Sequence, residues 1–168
     1  MQNIIFIHGL ESSGEGFKSK LLRSIFSNCL TPTFMPYSSK IPIKILLEKR
    51  MEQLISILTE RKKWIIIGSS FGGLMATLYT CKFPSSVSKL ILLAPYLSLN
   101  IQELRNFPPI NIPVLIYHGI NDDIVPWKST KLLAEKIFLN LTYNIVEDDH
   151  SLFYTVKALD WKHLIKVS

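Results

Sequence analysis

Five short runs, Ile4–Ile7, Trp64–Ile67, Leu90–Leu93, Val114–Tyr117 and Tyr143–Val146, are apolar at nearly every position rather than at every second one. A strand hides both faces only in a sheet covered on both sides, so the pattern demands helices above and below. A weaker run, Thr31–Met35, supplies a sixth strand. Between these runs the apolar spacing changes to three and four residues. Pro42 opens a helix in which Ile43, Leu46, Leu47, Met51, Leu54, Ile55 and Leu58 share one face, with Lys44, Glu48, Glu52 and Thr59 opposite. Similar spacing predicts helices over Phe17–Phe26, Gly72–Lys82, Lys128–Phe138 and Leu152–Ile165. Strands alternating with helices through short links give a mostly parallel sheet of about six strands, a three-layer α/β/α sandwich.

The 168 residues suit one domain, and a chain of that length buries about two thirds of its unfolded surface. With 48% hydrophobic and 19% charged residues, disorder is not expected. No apolar run approaches the roughly 20 residues of a membrane helix. The first strand pattern starts at Asn3, leaving no room for a leader, so a soluble cytoplasmic protein is expected. The net charge of +6 raises nucleic acid as a partner. The basic residues are scattered, however, and their densest run, Arg61-Lys62-Lys63, reads as a solvated loop, so no nucleic-acid partner is expected. At most the charge favours anionic substrates modestly. Cys29 and Cys81 stand far apart without a CxxC, which excludes metal and redox motifs and leaves two reduced, partly buried thiols.

Chemistry in such a sheet gathers where strands end. Those places are His8-Gly9, Gly68–Gly72, Ala94–Leu97, His118–Pro126 and Glu147–Ser151. The first loop, HGLESSGEGFKS, spaces Gly9 and Gly14 as a phosphate loop would. Glu15 and Gly16 then stand where lysine and serine or threonine are needed, and Ser19 replaces the third glycine of a dinucleotide fingerprint. Nucleotide binding is therefore not expected. The second loop, Gly68-Ser69-Ser70-Phe71-Gly72, reads as G-x-S-x-G centred on Ser70; centring on Ser69 would require a small residue where Ile67 stands. A nucleophile presented on a sharp strand-to-helix turn needs small residues two before and two after it. The third loop, YHGINDDIVPW, is an ordinary Gly/Asn/Asp turn in composition, and either Asp122 or Asp123 could orient a histidine. His8 and His118 read as packed turn residues and His163 as a surface or packing residue of the last helix. His150, in the polar loop VEDDHSL, has the exposure a base needs.

Taken together, FIHGLESSGEG, GSSFGG, LLAPYL, HGINDDIVP and DDHSL resemble, in order and across nearly the whole chain, the α/β-hydrolase superfamily. More narrowly they are similar to small lidless bacterial esterases, the YqiA-like group. The resemblance implies Ser70 as nucleophile, Asp122 as acid, His150 as base, and the backbone N–H groups of Leu10 and Phe71 as oxyanion hole. It also marks two departures: the Pro95 to Ile112 link is too short for the cap domain common in the family, and extra N-terminal strands are missing.

These expectations describe a serine hydrolase acting on esters or thioesters of small or exposed acyl groups, with no metal or organic cofactor. Leu10, Phe71, Tyr96, Leu97 and Trp127 follow strand ends and could line an apolar cleft. A thioesterase, amidase or acyltransferase with the same triad, or a non-catalytic binding module, is the alternative. Oligomeric state is not legible.

Overall fold

The apolar runs become strands β1 (Asn3–Ile7), β2 (Cys29–Leu30), β3 (Trp64–Ser69), β4 (Val87–Leu93), β5 (Val114–Gly119) and β6 (Leu141–Val146). The structure, a computed structural model, describes residues 2–59 and 63–166; of the basic run Arg61-Lys62-Lys63, the first two lie outside the described residues. Among the described residues the strands form one six-stranded sheet in the order β2-β1-β3-β4-β5-β6, every pair parallel. Register explains the continuous apolar runs. Ile5, Ile66, Leu90, Val114 and Leu141 stand side by side and join one core cluster. Phe6, Ile67, Ile91 and Leu115, one residue further along, join the cluster on the other face.

Helices α2 (Ile43–Leu58), α3 (Phe71–Lys82) and α5 (Trp127–Ile137) cover the first face through Leu54, Leu74 and Ala134. The second face is covered by α1 (Phe17–Ile25), α6 (Phe153–Ala158) and α7 (Trp161–Leu164) through Leu22, Val156 and Trp161. Between β4 and β5 the chain makes only a 3₁₀ turn over Leu97–Asn100 and the single-turn helix α4 (Ile101–Leu104), so no cap domain is inserted there. None of the described helices is long and apolar enough to cross a membrane. Both cysteines are buried free thiols, pushed up by burial to about 12 for Cys29 and about 11 for Cys81.

Two elements differ from the sequence pattern. The sixth strand is Cys29–Leu30, not Thr31–Met35. Pro32 has no N–H to offer a ladder, and the donors of Phe34 and Met35 go to side chains, His8 Nε2 at 3.0 Å and Gln53 Oε1 at 2.8 Å. The predicted helix Leu152–Ile165 is two short helices, broken at Leu159, which is extended at φ −65°, ψ 136°. Asp160 then caps α7, its carboxylate accepting from the His163 N–H at 3.1 Å. The Trp161 indole N–H donates to Val156 O at 2.8 Å and staples the halves.

Leu90 sits at the centre of the sheet with no exposed surface. Leu90→Ala should cost about 2–5 kcal/mol, read as a lowered urea midpoint at unchanged slope.

Candidate active site

At the end of β3 the chain turns directly into α3, and that turn rests on close backbone approach. A Cβ on Gly68 would stand 2.6 Å from Gly72 O and 2.9 Å from the Ala76 Cβ; one on Gly72 would collide with the carbonyl oxygens of Ile7 and His8. Ser70, between them, has φ 53° and ψ −115°, a conformation L residues rarely adopt. Its backbone is held in place: its N–H donates to Leu93 O at 2.9 Å, and its carbonyl accepts from Gly73, Leu74 and Tyr96. Ser69 remains the last residue of β3 and is buried.

Ser70, Asp122 and His150 are brought together. His150 Nε2 lies 2.9 Å from Ser70 Oγ, and its Nδ1 lies 2.7 Å from Asp122 Oδ2. A carboxylate only accepts, so Nδ1 carries the proton and Nε2 presents a lone pair to the hydroxyl. The Asp122 side chain has no exposed surface, whereas that of His150 is 22% exposed. Oδ1 of Asp122 accepts from the N–H groups of Ile124 at 3.0 Å and Val125 at 2.7 Å, which aims Oδ2 at the imidazole. Asp123 is exposed and outside this network.

Three supporting groups were not read from the sequence. His118, expected as a packed turn residue, is wholly buried with Nε2 3.1 Å from Asp122 Oδ2 and 2.8 Å from Val125 O. Both neighbours accept, so Nε2 holds the proton and Nδ1 accepts from the Tyr143 hydroxyl at 2.7 Å. Asp148 fixes the loop that carries His150: Oδ2 accepts from the Thr155 N–H and hydroxyl, and Oδ1 from the Asp149 N–H. Burial works to raise the Asp148 carboxyl, but these donors outweigh it and hold the group below its ordinary value. Arg50, also wholly buried, donates from Nε to Met35 O at 2.8 Å, and from its two terminal nitrogens to Gly9 O at 3.2 Å and Leu10 O at 2.8 Å. A signal existed for Arg50, which lies four residues from both Leu46 and Leu54, in line with the buried stripe of α2.

His8 also differs from a passive turn residue. Its Nε2 accepts from the Phe34 N–H, so Nδ1 carries the proton and donates to Gly9 O at 2.8 Å. The peptide of Gly9 and Leu10 is thus gripped through its carbonyl, while the N–H groups of Leu10 and Phe71 donate to no other described residue.

Around Ser70 opens a cleft of about 960 Å³, lined by Leu10, Phe71, Tyr96, Tyr37, Ile124 and Phe153 among others. Two expected lining residues are elsewhere. Leu97 has no exposed surface and packs into the core, because the 3₁₀ turn after Tyr96 directs it inward. Trp127 opens α5 beyond the turn that carries Asp122 and does not line the cleft; Lys128 Nζ lies over its ring.

Residues 6–158 match the model of the alpha/beta hydrolase family. Among solved structures, Est1E from Butyrivibrio proteoclasticus with ferulic acid bound is 16% identical, with a TM-score of 0.77 over 98% of this chain and 88% of that one. A predicted CIB-like hydrolase from Thermoplasma acidophilum is 22% identical, TM-score 0.73, over 93% and 83%. Alpha/beta hydrolase domain-containing protein 10 from mouse is 19% identical, TM-score 0.72, over 92% and 84%. At these identities the likeness is one of fold. No curated protein sequence matches the chain.

Burial holds His8 and His118 below the ordinary histidine value of 6.5; the Gly9 carbonyl on the one, and Val125 O with Asp122 on the other, offset this only in part. The unfolded chain therefore takes up protons first as pH falls, and stability, complete above about pH 7, declines from about pH 6.5 downward. Melting temperatures between about pH 7.5 and about pH 5 should show this decline. His118→Gln, which removes one of the two groups, should flatten it.

Proposed function

Because this chain belongs to the alpha/beta hydrolase family, we propose that it is a serine hydrolase cleaving carboxylic esters or thioesters through an acyl-enzyme, with Ser70 as nucleophile, His150 as base and Asp122 as its orienting acid. The observation that carries the reading is the unbroken hydrogen-bonded line from Ser70 Oγ through His150 to the buried Asp122 carboxylate. A serine hydroxyl alone is a weak nucleophile; a neutral imidazole with its lone pair on the hydroxyl activates it.

In the first half-reaction Ser70 Oγ attacks the substrate carbonyl while His150 Nε2 takes the hydroxyl proton. Asp122 stabilises the imidazolium without itself becoming protonated. The tetrahedral oxyanion is received by the Leu10 and Phe71 N–H groups, which donate to nothing else among the described residues. The imidazolium then protonates the leaving alcohol or thiol. Water, deprotonated by the same Nε2, releases the acid and restores the hydroxyl. Tyr96, on the wall of the cleft, is placed to contact the ester when it binds. The substrate is a small molecule whose acyl group is small or exposed, since the link after β4 supplies no lid to enclose a long chain.

A fluorophosphonate probe should label Ser70, located by mass spectrometry, and labelling at Ser69 would overturn the assignment. Ser70→Ala should lose the adduct and on the order of 10⁶ in kcat. Across p-nitrophenyl esters of increasing acyl length, alongside thioester and amide panels, kcat/KM should be highest for short acyl esters. A preference for long chains sinks the small-acyl reading, and one for amides sinks the ester reading.

A further inference from the structure

We propose that Arg50 is the positioning residue of the oxyanion hole: it aligns and polarises the Gly9–Leu10 peptide and sets its positive charge where the reaction develops negative charge. The inference rests on the serine-hydrolase reading, because it assigns Arg50 to the Leu10 N–H that receives the oxyanion.

The contacts of Arg50 are unusual for a buried arginine. It has no exposed surface, yet no carboxylate pairs with it among the described residues. All three of its hydrogen bonds go to backbone carbonyls, two of them on Gly9 and Leu10. Gly9 C=O and Leu10 N–H are the two ends of one peptide group. A cation drawing on the carbonyl fixes the plane of that peptide and strengthens its N–H as a donor. On its other side the guanidinium lies 5.3 Å from the centroid of the Phe71 ring, so the same group also touches the residue that carries the second donor N–H.

Burying a cation without a counter-ion is costly. Desolvation lowers the Arg50 pKa to about 10, which still leaves it charged at neutral pH. For a purely structural tie between the loop after β1 and residue 35, a neutral donor would avoid that cost. A cation is favoured when the missing negative charge appears during turnover, on the oxygen held by the polarised peptide. The sequence of the site agrees: the other support of the Gly9 carbonyl, the His8 Nδ1–H, is neutral, so Arg50 supplies the only full charge on that peptide among the described residues.

The discriminating experiment compares an ester with its thionoester, in which sulfur replaces the carbonyl oxygen and accepts hydrogen bonds poorly. Arg50→Lys and Arg50→Met are assayed on both substrates beside the parent chain, with melting curves to confirm folding. Expected is a loss of about 10- to 100-fold in kcat on the oxo ester, with KM within about twofold, and a similar loss of the preference for oxo over thiono substrate. Arg50→Lys, which keeps the charge but not the fork, should retain more of that preference than Arg50→Met. Should Arg50→Met fail to fold, Arg50→Lys alone decides the matter. An unchanged oxo/thiono ratio in a folded variant overturns the inference, even where overall activity has dropped. Absence of Ser70 labelling and of hydrolysis in the parent chain would instead overturn the reading on which the inference rests.

Discussion

The junction between β3 and α3 is the constraint on which the arrangement around Ser70 depends. Strand and helix meet so closely that no side chain fits at Gly68 or Gly72, and Ser70 must take up a positive φ between them. That strain persists because four backbone hydrogen bonds, drawn from β4, α3 and the loop after β4, fix the peptide on either side of the serine. The hydroxyl therefore stands at the tip of a rigid turn. Rigid presentation suits the proposed nucleophile, since freedom lost before the substrate arrives need not be lost in the transition state.

Two buried charges of opposite sign serve this turn and do not pair with each other. Asp122 is satisfied by two backbone N–H groups and two imidazoles, Arg50 by three backbone carbonyls. An ion pair between them would cancel both fields at the turn. Held by uncharged partners, each retains its field: in the proposed reaction the carboxylate would stabilise a proton arriving on His150, and the guanidinium lies on the peptide whose N–H would receive the oxyanion. The loop that carries His150 is tied down by similar means, its Asp148 and Asp149 carboxylates accepting from Thr155 and Ser151 donors.

Much of this was legible in the residues. Uninterrupted apolar runs gave five of the strands within a few residues of their ends, because a strand with both faces buried has no polar alternation to blur it. The small residues around Ser70 separated it from Ser69, since steric exclusion acts between near neighbours in sequence. The β2 strand was misplaced because propensity does not reveal that the donors of Phe34 and Met35 are captured by His8 and Gln53 from elsewhere in the chain. Leu97 and Trp127 were drawn into the cleft by position alone, whereas the turn that follows Tyr96 decides which way Leu97 points.

The sequence by itself determined the layered parallel sheet and the turn at Ser70, because both follow from periodicity and from the sizes of adjacent residues. It assigned Asp122 over Asp123 only through a family likeness. The folded chain alone decided that Oδ2 of Asp122 meets both His118 and His150, and that Arg50, on the buried face of a helix, reaches the carbonyls of Gly9 and Leu10. Apart from the His118–Asp122 contact, whose partners are four residues apart, these join residues 28 to 41 apart in the chain. Hydrogen-bond direction over such separations is set by where strands end in the sheet, which no local pattern encodes.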